Sequence, residues 1–345
     1  MSRNTRVQRT KTDPASIARD RDDEPSQLRE WGTDRVYLLP PRATNDWLIG
    51  SGSGCWLQLQ DNERFVSRRH AAIRRADSRW LIVDIGSKNG LWIDGRRVDS
   101  TPLTPGIEIG IGRVRLIVES RAVVRRRHLL ARLLGWKRER QVVVDRALRV
   151  LRELAAFRTP AWLSGTDDLR ALARLIHRDL HGEEQPFVPI KLSAITAPDE
   201  SLRSAQGGTL CIGAGRGDAR RVYDLISERE PQCSVIVCAY EPDQAMSIHV
   251  PPLETRRDEL GRVIREFGAD AIARLRAKPT SFTDADADLL LAHRPETLAE
   301  IEVATLRLVA IREFGGVTHA APQLGITHSA LSKWVARRTT RRRQD

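Results

Sequence analysis

The chain has 345 residues, which at about 150 residues per domain implies two to three domains. Lys and Arg number 57 against 45 Asp and Glu, a formal charge of +12 that brings a polyanionic partner into consideration without establishing one. Four cysteines without ligand spacing exclude a disulfide scaffold and imply a reducing, cytoplasmic setting, and a polar start with no long apolar run argues against secretion and a membrane span.

Residues 1–30 mix charges of both signs without apolar periodicity and are expected to form a flexible tail. Over 31–120, short runs such as VYLL, WLIG, RWLIVDI, GLWIDG and VRLIVES are separated by turn-rich SGSG, DNER, GSKNG and DGRR, which predicts a small all-β sandwich. Residues 121–140 carry eight Arg or Lys against one Glu and read equally as a basic helix or a solvated linker. Residues 141–252 alternate helical stretches with the strand-like AWLSG, PFVPIKL, GTLCIG and SVIVCA, the pattern of an α/β layer structure. Strands then disappear: 253–296 is expected to be a helical lid-like region, 297–338 a helical group, and 339–345 a basic tail. No repeat at a solenoid period is present, so the fold class is multidomain: β-sandwich, α/β module, all-α end.

In the β module two loop strings carry chemistry, Ser67, Arg68, Arg69 and His70, then Ser87, Lys88, Asn89 and Gly90. Hydroxyls and guanidinium groups on adjacent loops suit a phosphate, and an asparagine amide can hold an extended peptide backbone. LIGSGSGCWLQLQDNERFVSRRHAAI followed by WLIVDIGSKNGLWIDGRRV resembles a forkhead-associated (FHA) domain. The resemblance implies phosphothreonine recognition, with Ser67 on the phosphate, Arg68 supporting the charged pocket, Asn89 on the peptide backbone and His70 bracing the loop. Ser51, Ser67, Arg68, Ser87, Lys88 and Asn89 are the expected phosphopeptide- or partner-binding residues, with Gly50, His70 and Gly90 structural. Ser51 stands where the family carries a phosphate-binding arginine, so a phospho-independent protein contact and a purely structural module stay open. Trp47, Trp56, Trp80 and Trp92 read as core or partly exposed sheet aromatics.

AWLSGTDDLRALARLIHRDL, PFVPIKLSAI, GGTLCIGAG and VPPLETRRDEL resemble, in that order, the AAA+ domain of sigma-54 enhancer-binding activators. Against that pattern SGTDDLR lacks the glycine loop and its lysine, Asp167 and Asp168 oppose a nucleotide phosphate, and Ile212, Gly213 and Ala214 replace the acidic pair that would hold magnesium. The resemblance implies a non-hydrolysing remnant with no cofactor, in which Arg256 and Arg257 serve packing, solubility or anion contact. His177 and His181 share a helix face and are expected at the surface, Cys211, Cys233 and Cys238 in an apolar core, and Ser164 has no relay that would make it a nucleophile. No metal site is expected.

The end of the chain, GVTHAAPQLGITHSALSKWVARR, resembles a Fis-type helix-turn-helix. Thr327 is placed as the cap of its last helix, Ala330, Leu331, Trp334 and Val335 on its inner side, and Pro322 as a departure inside the preceding helix. Thr327, His328, Ser329, Ser332, Lys333, Arg337 and Arg338 are expected to contact double-stranded DNA. The combined expectation is a DNA-binding transcription regulator with a partner- or phosphopeptide-recognition module, and paired half-sites would suit a homodimer. The alternatives are a phosphopeptide-dependent protein scaffold without sequence-specific DNA binding, and a divergent ATP-binding sigma-54 activator.

Overall fold

The computed structural model describes residues 22–341 except 41–45, 62, 77–78, 158, 216, 228, 230 and 240–245. Two compact units emerge, one formed by the residues up to Ala131 with Lys137–Arg149, the other by Arg132–Trp136 with Val150 onward.

The first unit contains two sheets. Strands β1 (Gln27–Glu30), β2 (Val36–Leu38), β7 (Leu91–Ile93), β8 (Arg96–Val98), β10 (Glu108–Ile111) and β11 (Val114–Glu119) form one, in the order β2-β1-β11-β10-β7-β8. Strands β3 (Trp47–Gly50), β4 (Leu57–Gln58), β5 (Ala71–Ala76), β6 (Arg79–Asp84) and β9 (Ser100–Pro102) form the other, in the order β4-β3-β5-β6-β9. Every pairing is antiparallel except β3 with β4. Period-two patterning drives the layering: in β6, Trp80 and Ile82 point inward, where they meet Ile49, Ile73, Leu91, Ile109 and Leu116. The tail expected over 1–30 is corrected at its end, because Gln27–Glu30 pairs along β11, while residues 1–21 lie outside the described residues.

That correction follows from one buried cation. Arg29 on β1 is fully buried, and its Nε donates to Glu119 Oε1 at 2.7 Å while Nη1 and Nη2 both reach Asp145. Burial opposes the charge, yet Asp145 and Glu119 outweigh it and raise the guanidinium pKa above its ordinary value. Asp145 also accepts from Gly32 N at 2.7 Å, so the strand ending at Glu30 and its following turn are fastened to the α2 helix (Gln141–Phe157). The α1 helix spans Arg121–Leu134, which selects the helical reading of the basic segment. Arg29→Met removes the cation that two buried carboxylates share, leaving Glu119 with Gln27 and Arg127 and Asp145 with Gly32 N, and is expected to cost the first unit about 3–5 kcal/mol in urea unfolding, whereas a loss near zero refutes this role.

The second unit is built on a parallel sheet of β12 (Ala161–Gly165), β13 (Phe187–Lys191), β14 (Thr209–Gly213), β15 (Ser234–Cys238) and β16 (Ser247–Val250), in the order β13-β14-β15-β12-β16. Both faces are covered, so β14 and β15 read as continuous apolar runs. Helices α3 (Leu169–His181), α4 (Pro198–Ser204) and α5 (Ala219–Ser227) alternate with these strands. The all-α end follows as α6 (Leu260–Leu275), α7 (Asp284–Ala292), α8 (Leu298–Glu313), α9 (Val317–Gln323) and α10 (His328–Arg341). Ala310, Ala320, Ala321 and Leu331 form the core of the last three helices, and Pro322 falls in the final turn of α9. Ala330, expected on the inner side of α10, is exposed. Residues 339–341 continue that helix, and 342–345 lie outside the described residues. Among the described residues no helix is long and apolar enough to cross a membrane.

His177 and His181 share a face as their spacing requires, with ring centroids 5.5 Å apart, but that face packs on the sheet. His177 is buried: its Nε2 donates to the Gln185 carbonyl at 3.2 Å, which leaves Nδ1 to accept from Thr209 Oγ1 at 2.9 Å. His181 pairs with Ser234 Oγ at 3.0 Å, so the expected surface pair is a structural one. Burial, with Arg174 and Arg178 nearby and only the Gln185 carbonyl opposing, lowers the His177 pKa below 6.5. The unfolded chain then binds the extra proton first, so this contribution is complete above pH 6.5 and is lost as pH falls through the folded-state value. Thermal unfolding across pH 7.5 to 5 checks it, and His177→Gln is expected to flatten part of the acid-side slope.

Candidate functional site

The residues expected to bind a peptide gather where the loop before β5 meets the loop between β6 and β7. His70 joins the two. Its Nδ1 accepts from Ser67 N at 3.1 Å, which fixes the proton on Nε2, and Nε2 donates to the Gly90 carbonyl at 3.0 Å. With both ring nitrogens engaged and the side chain fully buried, His70 is structural. A second tie is direct, with Lys88 N donating to Ser67 Oγ at 3.0 Å.

Inside the second loop, Asp84 Oδ1 accepts from Ser87 N at 2.8 Å and Ser87 Oγ accepts from Gly90 N at 3.0 Å. These bonds close a tight turn that requires φ of +79° at Gly90. Asn89 is presented at its apex. Its Nδ2 donates to the Phe65 carbonyl at 2.8 Å, which leaves the amide oxygen to accept from a peptide N–H. Gly50 is needed for close approach, because a Cβ there would collide with the Arg68 carbonyl oxygen. Ser51 is turned inward: its N donates to the Ser67 carbonyl at 3.1 Å and its Oγ to the Val66 carbonyl at 3.0 Å. It braces the first loop and offers no charge. Arg68, Arg69 and Lys88 point to solvent, and Ser67 is half-buried between them.

Sequence reasoning missed the aromatic part of this surface. Trp92, expected as a core or partly exposed sheet aromatic, is 41% exposed and its Nε1 donates to the Asn89 carbonyl at 3.0 Å, beside the loop. Phe65 is also exposed, with the Arg113 guanidinium 4.7 Å from its ring centre. The only available signal was position, each lying within three residues of a loop residue already singled out.

The second unit supplies no comparable set. Asp168 Oδ1 accepts from Arg170 N and Ala171 N at 3.1 Å and caps α3, and Asp167 Oδ2 accepts from Leu298 N at 2.8 Å. Ser164 Oγ lies 3.1 Å from His249 Nδ1, but the two are ladder partners and Ser164 is buried. Cys211 and Cys233 are buried, whereas Cys238 is half-buried with its Sγ 3.7 Å from Cys211 Sγ. Arg256 is buried and donates to the Arg132 carbonyl at 2.7 Å, while Arg257 pairs with Glu254 at the surface. Among the described residues no His, Cys, Asp and Glu cluster could hold a metal ion.

Residues 47–112 match the FHA domain family. The glycogen accumulation regulator GarA of Mycobacterium tuberculosis is 44% identical over 52 residues, 15% of this chain and 32% of that protein. The oxoglutarate dehydrogenase inhibitor of Corynebacterium diphtheriae is 44% identical over 52 residues, 36% of its own length. The chain thus spans about a third of the length of the curated relatives it matches. Among solved structures, the FhaA FHA domain bound to a partner's intracellular domain is 32% identical, covering 27% of this chain and 98% of that one with a TM-score of 0.24. The N-terminal β-sandwich is an FHA domain.

These matches overturn the expectation of a DNA-binding transcription regulator, together with its sigma-54 alternative. The relatives are named for glycogen regulation and enzyme inhibition. Double-stranded DNA was assigned to Thr327, His328, Ser329, Ser332, Lys333, Arg337 and Arg338 from helical pattern and positive charge, features that a solvated helix shares. Several of those groups have local roles. Thr327 Oγ1 accepts from Ala330 N at 3.2 Å, and Ser332 Oγ and His328 Nδ1 are 3.4 Å apart. Lys333 and Arg337 are exposed, and Arg338 is described only as helix backbone.

His70→Ala removes both bonds that join the loops and leaves Ser67 N–H and the Gly90 carbonyl without them. It is expected to destabilise the sandwich by about 2–4 kcal/mol in denaturant unfolding, against under about 0.5 kcal/mol for exposed Arg69→Ala.

Proposed function

We propose that this protein is a phosphothreonine-dependent scaffold: the FHA domain captures a phosphorylated protein, and the rest of the chain serves assembly without catalysis. The observation that carries this reading is the Ser67–Lys88 contact braced by His70, which presents a hydroxyl, a free asparagine oxygen and cationic side chains on one surface. The similarity of residues 47–112 to the FHA family and to the regulator and inhibitor named above supports it.

The division into a sandwich over 31–120, an α/β module over 141–252, a helical region over 253–296 and a terminal helical group over 297–338 belongs to the same proposal. We read the α/β module as a reduced AAA+-like domain. Supporting this is the interior position of β12, between β15 and β16, whose carboxyl end leads directly into α3. That is the switch point at which open parallel sheets place ligands. Here it ends in Asp167 and Asp168, whose side chains bond backbone N–H groups.

Full-length protein is expected to bind a phosphothreonine peptide and to lose about ten-fold in affinity or more on Ser67→Ala or Asn89→Ala, read by fluorescence anisotropy. Equal affinity for phosphorylated and unphosphorylated versions of every peptide tried would refute the phosphate-dependent reading.

A further inference from the structure

The first loop contains two carboxylates and β6 ends in a third, and each of these is occupied. Asp61 accepts from Glu63 N at 3.2 Å and from Val66 N, Glu63 pairs with Arg113 at 2.5 Å, and Asp84 accepts from Ser87 N at 2.8 Å. The cations of the same surface are different. Arg68, Arg69, Lys88 and Arg97 are exposed, and none makes an ion pair among the described residues. Contacts between the loops place them on adjoining segments of one end of the sandwich. Arg68 and Arg69 follow Ser67, whose Oγ receives Lys88 N at 3.0 Å. Arg97 reaches in from β8, its Nε 2.5 Å from where a Cβ on Gly90 would sit. Four like charges held together at the surface repel one another, and a ligand of opposite charge relieves that repulsion. Meanwhile Ser51, with its hydroxyl on the Val66 carbonyl, supplies no cation to the phosphate.

We infer that the bound segment is acidic: a phosphothreonine flanked by Asp or Glu side chains, which pair with Arg68, Arg69, Lys88 and Arg97. This rests on the phosphothreonine reading above and adds its sequence preference. The arrangement distributes recognition. The phosphate meets the Ser67 hydroxyl, whose oxygen is held by Lys88 N, and the flanking carboxylates meet exposed guanidinium and ammonium groups at the rim. Rim pairs are individually weak and screened by salt, so the preference arises from several acting together.

The test uses full-length protein and three labelled peptides: a phosphothreonine peptide with Asp and Glu flanks, the same peptide with Asn and Gln flanks, and the unphosphorylated acidic peptide. The acidic phosphopeptide is expected to bind about ten-fold more tightly than its amide counterpart at low salt, with the gap closing near about 0.5 M salt. Arg69→Gln/Arg97→Gln is expected to shrink the acidic-to-amide affinity ratio to under about three-fold, read as the ratio and not as the affinity of either peptide. Equal affinity for the two phosphopeptides in the parent protein overturns the acidic preference and leaves phosphothreonine recognition standing. Binding of the unphosphorylated acidic peptide as tight as its phosphorylated form, or of no peptide at all, overturns phosphothreonine recognition itself and the inference with it.

Discussion

One imidazole holds the recognition surface in register. Ser67 and Gly90 belong to loops separated by two strands of chain, and each turns a backbone polar group toward the buried His70 ring, the Gly90 carbonyl fully buried and the Ser67 N–H partly so. His70 meets both groups with one donor and one acceptor, which only the neutral ring with its proton on Nε2 provides. Neither a carboxamide nor a hydroxyl spans that gap with the same two directions. The loop residues are therefore placed by a buried polar bridge, and the strands β5 and β7 keep its two ends at a fixed separation.

Under the proposed phosphothreonine reading, serine at position 51 sets the form that recognition takes. An arginine at position 51 would bring two parallel N–H bonds to a phosphate and fix it in space. Serine there instead completes the hydrogen bonding of the first loop by donating to the Val66 carbonyl. Positive charge remains nearby, but on exposed side chains with rotational freedom. Such charges act on the field around a ligand more than on its exact pose, so they favour association and partner choice over tight phosphate capture.

The β module was legible in sequence because its signals are local. SRRHA and SKNG each place three or four functional residues within one loop, and period-two patterning identified the strands around them. What remained hidden depends on contacts distant in sequence. Gln27–Glu30 reads as a polar tail until Arg29 finds Glu119 and Asp145, and no window of sequence contains those three residues. His177 and His181 have the spacing of a solvent pair, and only the buried hydroxyls of Thr209 and Ser234 make them a core feature. The basic helix after Thr327 misled for the opposite reason: its charge was evident, but charge specifies a class of attraction and not a partner.

The α/β unit illustrates the limit of inferring chemistry from fold. A helix N-terminus at the carboxyl end of a central parallel strand has unsatisfied N–H groups and a positive dipole end, which suit an anion. In this chain the anions are built in. Asp168 takes the first N–H groups of α3, and Asp167 extends to the N-terminus of α8, so adjacent carboxylates close two helix ends at once. At the far end of α3, Arg178 pairs with Glu302 of α8. A phosphate arriving at α3 would have to displace its own cap and would face the repulsion of Asp167. The features that make this position unfavourable for an anion are the ones that fasten α3 to α8, so the same pair of residues both closes the helix end and fixes the two helices to each other.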